Sequence, residues 1–138
     1  MGNAKINSSS MKDYEELMKQ PKRKKYNNQV VTIDEMTFHS KFESSVYLIL
    51  KDMKKCGEIK GFERQVTYLL QEGYRDEYGK WVRPITYTSD FDITHNDDSL
   101  EVIETKGYET ETYRIKAKLF KKRYPHIKFR VIKRGDPI

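Results

Sequence analysis

Apolar residues in this chain follow a helical period in two stretches and a strand-like alternation in several others. Between Ser40 and Cys56, Val46, Ile49, Leu50 and Met53 recur at three- and four-residue spacings, which predicts one apolar stripe on a helix. Ser40 is placed to cap that helix and Gly57 to stop it. Val30 to Phe38 reads as a short strand or an extended lead-in to the helix. Phe62 to Leu70 alternates as a strand, and a turn at Tyr78-Gly79-Lys80-Trp81 returns the chain into a second, from about Trp81 to Ile93. Pro84 marks an edge or bulge early in it. A third strand, Leu100 to Lys106, follows the polar loop Asn96-Asp97-Asp98. Thr112 to Tyr124 reads as a second helix with Ile115, Leu119 and Phe120 on its apolar side. Pro125 stops it, and Lys128 to Lys133 closes the fold as a last strand. The predicted order is helix, three-strand meander, helix, strand.

Composition narrows the class. At 138 residues, with 35% charged residues, the chain is one domain with a modest core and a heavily solvated surface. Residues 1–29 are polar, carry Ser8-Ser9-Ser10 and the run Lys22-Arg23-Lys24-Lys25, and read as a basic arm. That arm is either a solvated tail or a DNA-contacting segment. The globular domain is then residues 30–138. Net charge is +6 and unevenly spread: Arg114 to Arg134 holds ten basic residues and no Asp or Glu. Such a surface favours a polyanion over a neutral partner. The single Cys56 excludes a disulfide framework and a cysteine-built zinc site. No apolar run reaches transmembrane length, the N-terminus lacks the apolar stretch of a secretory signal, and Ile6 stands where myristoylation wants Ser or Thr. The expectation is a cytoplasmic protein without a membrane partner.

The candidate chemistry lies in residues 88–107. Side chains alternate on a strand, so Asp90 and Asp92 are expected on one face, as are Glu104 and Lys106. A hairpin centred on Asp97 sets Asp90 across from Glu104, with Cβ atoms about 5 Å apart. Two opposed carboxylates are destabilising unless a cation lies between them or a pKa rises. Oxygen ligands alone point to Mg²⁺ or Mn²⁺ rather than zinc. His39, His95 and His126 are scattered without metal-ligand spacing. Lys106 either polarises an attacking water or pairs with Glu104 or Asp90 across the sheet. Glu43 falls on the inward edge of the first helix, where a buried carboxylate needs a partner; its other reading is a first-turn acid favouring the helix dipole.

The strand-borne Asp90 followed one hairpin later by Glu104-Thr105-Lys106 resembles the PD-(D/E)XK nuclease superfamily. Upstream, Phe38-His39-Ser40-Lys41-Phe42-Glu43, Gly57-Glu58-Ile59, Gln65 and Thr88-Ser89-Asp90-Phe91 resemble a small phage-borne group of unknown function within it. Holliday-junction resolvases and TnsA-type transposon endonucleases share the pattern of a helix Glu, a strand Asp and an E-x-K. The resemblance spans roughly residues 30–133, and Ser89 stands where the superfamily's name puts Pro. It implies a restriction-endonuclease-like α/β fold, α-β-β-β-α-β, with a mixed sheet flanked by helices. It implies that Asp90 and Glu104 bind the metal, that the Thr105 carbonyl adds a ligand, and that Lys106 assists the water. Glu43 completes the acidic cluster, and Gln65 is a substrate or active-site contact or else an exposed strand residue. Of the two aspartates, the Asp90-Phe91 pairing favours Asp90 over Asp92. Lys116, Lys118, Lys122 and Arg123 of the basic helix are candidate phosphate contacts near the site.

The expected function is therefore a Mg²⁺- or Mn²⁺-dependent DNA endonuclease. A branched substrate cut by a homodimer, in phage recombination or packaging, is one expectation. A nicking or double-strand enzyme acting with another phage protein is a second. The rival classes are a non-catalytic nucleic-acid-binding module on the same fold and a phage assembly protein whose charges serve protein contacts.

Overall fold

A computed structural model describes residues 29–138. The predicted basic arm, including Lys22-Arg23-Lys24-Lys25, lies outside the described residues apart from Gln29. The lead-in segment is a hairpin, not a single strand: β1 (Val31–Ile33) pairs antiparallel with β2 (Met36–Phe38). Its two-residue turn holds Asp34 and Glu35 at φ of 51° and 63°, a left-handed pair that suits the tight connection. Asp34 Oδ2 accepts hydrogen bonds from Tyr47 Oη at 2.8 Å and Lys51 Nζ at 2.6 Å, tying the hairpin to the first helix.

That helix, α1 (Lys41–Lys55), starts and stops as its sequence predicts. Glu43 N donates to Ser40 Oγ at 3.0 Å, and Gly57, at φ 78°, takes the chain out after Cys56. Its buried face carries Glu43, Ser44, Val46, Tyr47 and Leu50. Ile49, predicted on the apolar stripe, is 42% exposed, and Tyr47 fills the core in its place. The stripe is rotated because the Tyr47 ring packs against Phe38 and Phe62 and sends its hydroxyl to Asp34.

The predicted strand over Phe62–Leu70 divides into β3 (Gly61–Arg64) and β4 (Thr67–Gln71). After β5 (Tyr74–Arg75), the predicted strand over Trp81–Ile93 divides into β6 (Trp81–Val82), β7 (Ile85–Thr88) and β8 (Phe91–Thr94). Then come β9 (Leu100–Thr105), α2 (Glu111–Arg123) and β10 (Lys128–Ile132). The central sheet is mixed, in the order β10-β9-β8-β3. β3, β8 and β9 run antiparallel in turn, and β10 lies parallel to β9 through the α2 crossover. The β8–β9 register pairs Phe91 with Ile103, Asp92 with Val102 and Ile93 with Glu101, as a hairpin centred on Asp97 requires.

Successive residues of β9 serve opposite faces. Ile103 joins Phe38, Val46, Leu50, Phe91 and Ile132 in the core under α1. Val102 joins Leu70, Tyr87, Tyr113, Ala117 and Phe120 in the core under α2. Ile115, predicted to face inward, is 54% exposed, because Thr110 starts α2 so that Tyr113, Ala117 and Phe120 meet the sheet. No helix among the described residues is long and apolar enough to cross a membrane.

One break in the sheet matters most. The two long strands bend together where Gln65, at φ 54°, lies opposite Asp90. Gln65 N donates to the Asp90 carbonyl at 3.2 Å, and Ser89 N to the Val66 carbonyl at 2.9 Å. Below the bend the pair stays in the central sheet as β3–β8; above it, the pair continues as the separate ribbon β4–β7. A bend of this kind re-aims the side chain that sits on it.

Candidate active site

Asp90 occupies the bend, and the strand alternation expected of it fails there. Asp92 faces away from Asp90's surroundings: its carboxylate accepts from Tyr68 Oη and Ser89 Oγ. Burial pushes the Asp92 carboxyl up, and these two hydroxyls pull it back. Asp90 instead lines an open cavity of about 530 Å³ together with Glu43, Thr105, Lys106, His39 and Arg134. The expectation that the two aspartates share a face is thus corrected, and the choice of Asp90 is the one the cavity favours.

Thr105 grips Asp90 twice. Its backbone N–H and its Oγ1 donate to the same oxygen, Asp90 Oδ2, at 2.8 and 2.7 Å. The α1 cap brings Glu43 to the cavity's other side. There Arg64 Nη2 approaches Glu43 Oε1 at 3.3 Å, while the guanidinium lies 3.9 Å over the Phe38 ring. Burial and then the Asp90 charge hold the Glu43 carboxyl above the usual range, against the pull of Arg64 and His39. Glu43 is thus more than a first-turn acid.

Glu104 stands behind the cavity wall at 4% exposure. Its Oε2 accepts from Tyr87 Oη, and its Oε1 lies 3.5 Å from Lys106 Nζ. Burial first, then Asp90, push this carboxyl up to about 7, although Tyr87 and Lys106 act the other way. The Lys106 backbone is pinned to β10 by its N–H on the Ile132 carbonyl at 3.1 Å. Its ammonium sits 4.5 Å over the Tyr113 ring.

Among the described residues, no three His, Cys, Asp or Glu side chains form a ready group for a metal ion. The pairwise electrostatics nonetheless fit one. After burial, the Asp90 charge raises the proton affinity of Glu43 and of Glu104, and a cation among the three would offset that repulsion. Both hydrogen bonds from Thr105 fall on Oδ2 of Asp90 rather than Oδ1, and the donors are all oxygens, which suits Mg²⁺ or Mn²⁺.

Other expectations fare differently. The Gln65 side chain is exposed and does not line the cavity; its backbone shapes the bend. The basic helix meets the site through its first turn, where Tyr113 lies under Lys106. Only its cap, Thr110, borders the cavity, and Lys122 is twelve residues further, about 18 Å along the axis. Lys118 and Lys122 are exposed, Lys116 is half-buried, and Arg123 is engaged with the Leu70 carbonyl and Glu72. The cations at the cavity are Lys106 and Arg134. Arg134 belongs to the basic run yet follows the last strand, so only the parallel β9–β10 pairing brings it here. Arg64 and Tyr87 were not legible as site residues, since each reads locally as an ordinary strand position.

The chain belongs to the family described as Protein of unknown function (DUF1064), whose model matches residues 23–136. Comparison with curated proteins and with solved structures gave no match in either set.

Proposed function

We propose that this chain is a metal-dependent DNA endonuclease of the PD-(D/E)XK type. The observation that carries the proposal is the convergence of Glu43, Asp90 and Glu104-Thr105-Lys106 at one end of a mixed sheet, with Asp90 in the electrostatic field of both glutamates. The sequence α1, β3, β8, β9, α2, β10 in that sheet supports a restriction-endonuclease-like core. Asp90 and Glu104 would hold Mg²⁺ or Mn²⁺, with the Thr105 carbonyl as a further ligand. Bound there, the ion supplies charge neutralisation at the phosphate and lowers the pKa of water.

The chain's own residues do the rest. Lys106 orients a water for in-line attack on the phosphorus and faces the charge that develops on the phosphate oxygens. Glu43, whose carboxyl is raised by burial and by Asp90, accepts the proton the water gives up as the bond to the leaving ester oxygen breaks. Thr105 fixes the Asp90 rotamer, and Arg64 fixes Glu43. Arg134 binds a neighbouring phosphate at the cavity mouth. The proposed substrate is branched DNA, met in recombination or packaging of phage DNA and cut by a homodimer.

Cleavage of linear, nicked and four-way DNA with Mg²⁺, Mn²⁺ or EDTA tests this. Cutting should need the ion, and Asp90→Ala and Lys106→Ala should abolish it while DNA binding and the fold persist. Cutting by either variant at the wild-type rate would remove these roles. Wild-type protein that binds all three DNAs and cuts none would be a binding module on this fold.

A further inference from the structure

Far from the cavity, the ribbon that rises from the bend ends in a rigid tip of exposed aromatic rings. Tyr74, Tyr78 and Trp81 are 49%, 85% and 53% exposed. β5 and β6 pair there, with Arg75 opposite Trp81. The indole is not loose: a Cβ built on Gly73 collides with Cζ2 and Cη2 of Trp81, so the ring lies directly on the Gly73 backbone. The indole is backed by the chain on one side and has the Arg75 guanidinium 5.9 Å from its centroid, while half of the residue stays open.

The rest of the tip is fixed as well. Asp76 Oδ1 accepts from Tyr78 N and Lys80 N, both at 2.9 Å, and Arg75 Nη1 donates to the Gly79 carbonyl at 3.0 Å. Tyr124 Oη donates to the Leu69 carbonyl at 2.8 Å, anchoring the ribbon to the end of α2. Of the tip's acids, Glu72 pairs with Arg123 and Asp76 is used in the turn. Lys80 and Arg83 are exposed, and α2 ends beside the ribbon in Lys122 and Arg123, while Lys121 lies 5.2 Å over the Phe129 ring. The tip itself is balanced, with Arg75, Lys80 and Arg83 against Glu72, Asp76 and Glu77, and the exposed Lys122 at the end of α2 adds positive charge beside the ribbon.

We infer that this tip is a stacking platform for unpaired nucleobases of a DNA strand, with Trp81 as its main ring and Tyr78 beside it. A held aromatic face with Arg75, Lys80 and Arg83 beside it suits bases and phosphates together, whereas a protein partner would favour a wider covered apolar surface. The platform stands nine residues along the ribbon from Asp90, at most about 30 Å. A strand joining the two would run past the exposed lysines of α2. The inference rests on the DNA reading above, and it gives the preference for branched DNA a physical source.

Trp81 is the chain's single tryptophan, so intrinsic fluorescence reads this ring alone. In EDTA, a mixed-sequence single-stranded oligodeoxynucleotide should quench it, and an abasic strand of equal length should not. Labelled-strand anisotropy should show Trp81→Ala binding about tenfold more weakly and Trp81→Phe close to wild type. Strand binding without quenching, or Trp81→Ala binding as tightly as wild type, overturns the platform. So does emission that changes with protein concentration alone, together with loss of a dimer in Trp81→Ala by sedimentation, since the ring then meets a second copy. The two proposals fail separately. Quenching without cutting by wild type removes the nuclease and keeps the platform; cutting without quenching does the reverse.

Discussion

Two buried glutamates stand three residues apart on β9, one beside a pair of fixed cations and the other, in the proposed site, in the field of Asp90. Glu101 and Glu104 are 3% and 4% exposed. Glu101 has two cationic neighbours, Arg130 Nη2 at 3.4 Å and Lys128 Nζ at 3.7 Å, and the His95 imidazole Nε2 at 3.2 Å. Glu104 has one lysine at 3.5 Å, a tyrosine hydroxyl, and the charge of Asp90 against it. Burial alone therefore does not single out the proposed metal ligand. What separates the two is whether the fold itself supplies the compensating charge.

The sharpest way to break that contrast is a pair of isosteric substitutions. Glu104→Gln should lower the cutting rate by at least about a hundredfold. Glu101→Gln should leave cutting unchanged and cost about 1–3 kcal/mol in denaturant unfolding, because its cations lose their shared partner. Equal losses of activity in both would erase the distinction.

The next effect is on pH. A carboxyl held at about 7 in the folded chain binds its proton more tightly than in the unfolded one, where 4.5 is the ordinary value. Ionising Glu104 thus costs stability, progressively between those two values and fully above pH 7. Without added metal, Glu104→Gln should be the more stable protein above pH 7, by about 3 kcal/mol at most. The advantage should disappear below pH 4.5. Thermal melts at pH 4 and pH 8 decide it, and an identical difference at both would locate the cause outside this charge.

The smallest effect concerns the bend. Gln65→Gly keeps a residue that takes positive φ freely and deletes the side chain, so stability should shift by less than about 1 kcal/mol. Cutting should survive. Loss of cutting with an unchanged melt would make the Gln65 side chain a substrate contact after all.

Much of the frame was legible in the sequence. The Ser40 cap, the Gly57 stop and the Asp97-centred hairpin rest on local chemistry that the structure repeats. The helix faces were less legible: Ile49 and Ile115, expected on the apolar sides, are exposed, and Tyr47 is buried instead because its ring packs against Phe38 and Phe62. The bend at Asp90 left no trace, since neither Gly nor Pro marks it and Gln65 adopts its left-handed backbone under tertiary pairing. The same gap put Asp92 on the face of Asp90, where its bonds to Tyr68 and Ser89 show it is not. Arg134 and Arg64 reach the site only through strand pairing and helix packing that no local pattern carries.

The seating of Trp81 on Gly73 has a genetic consequence. Neither position can change alone without disturbing the other, so the two form an epistatic pair eight residues apart in the chain. Gly73→Ala should displace the indole and red-shift tryptophan emission, yet be nearly silent for stability once Trp81→Ala is already present. In relatives that carry a small residue in place of this tryptophan, the glycine should be free to drift.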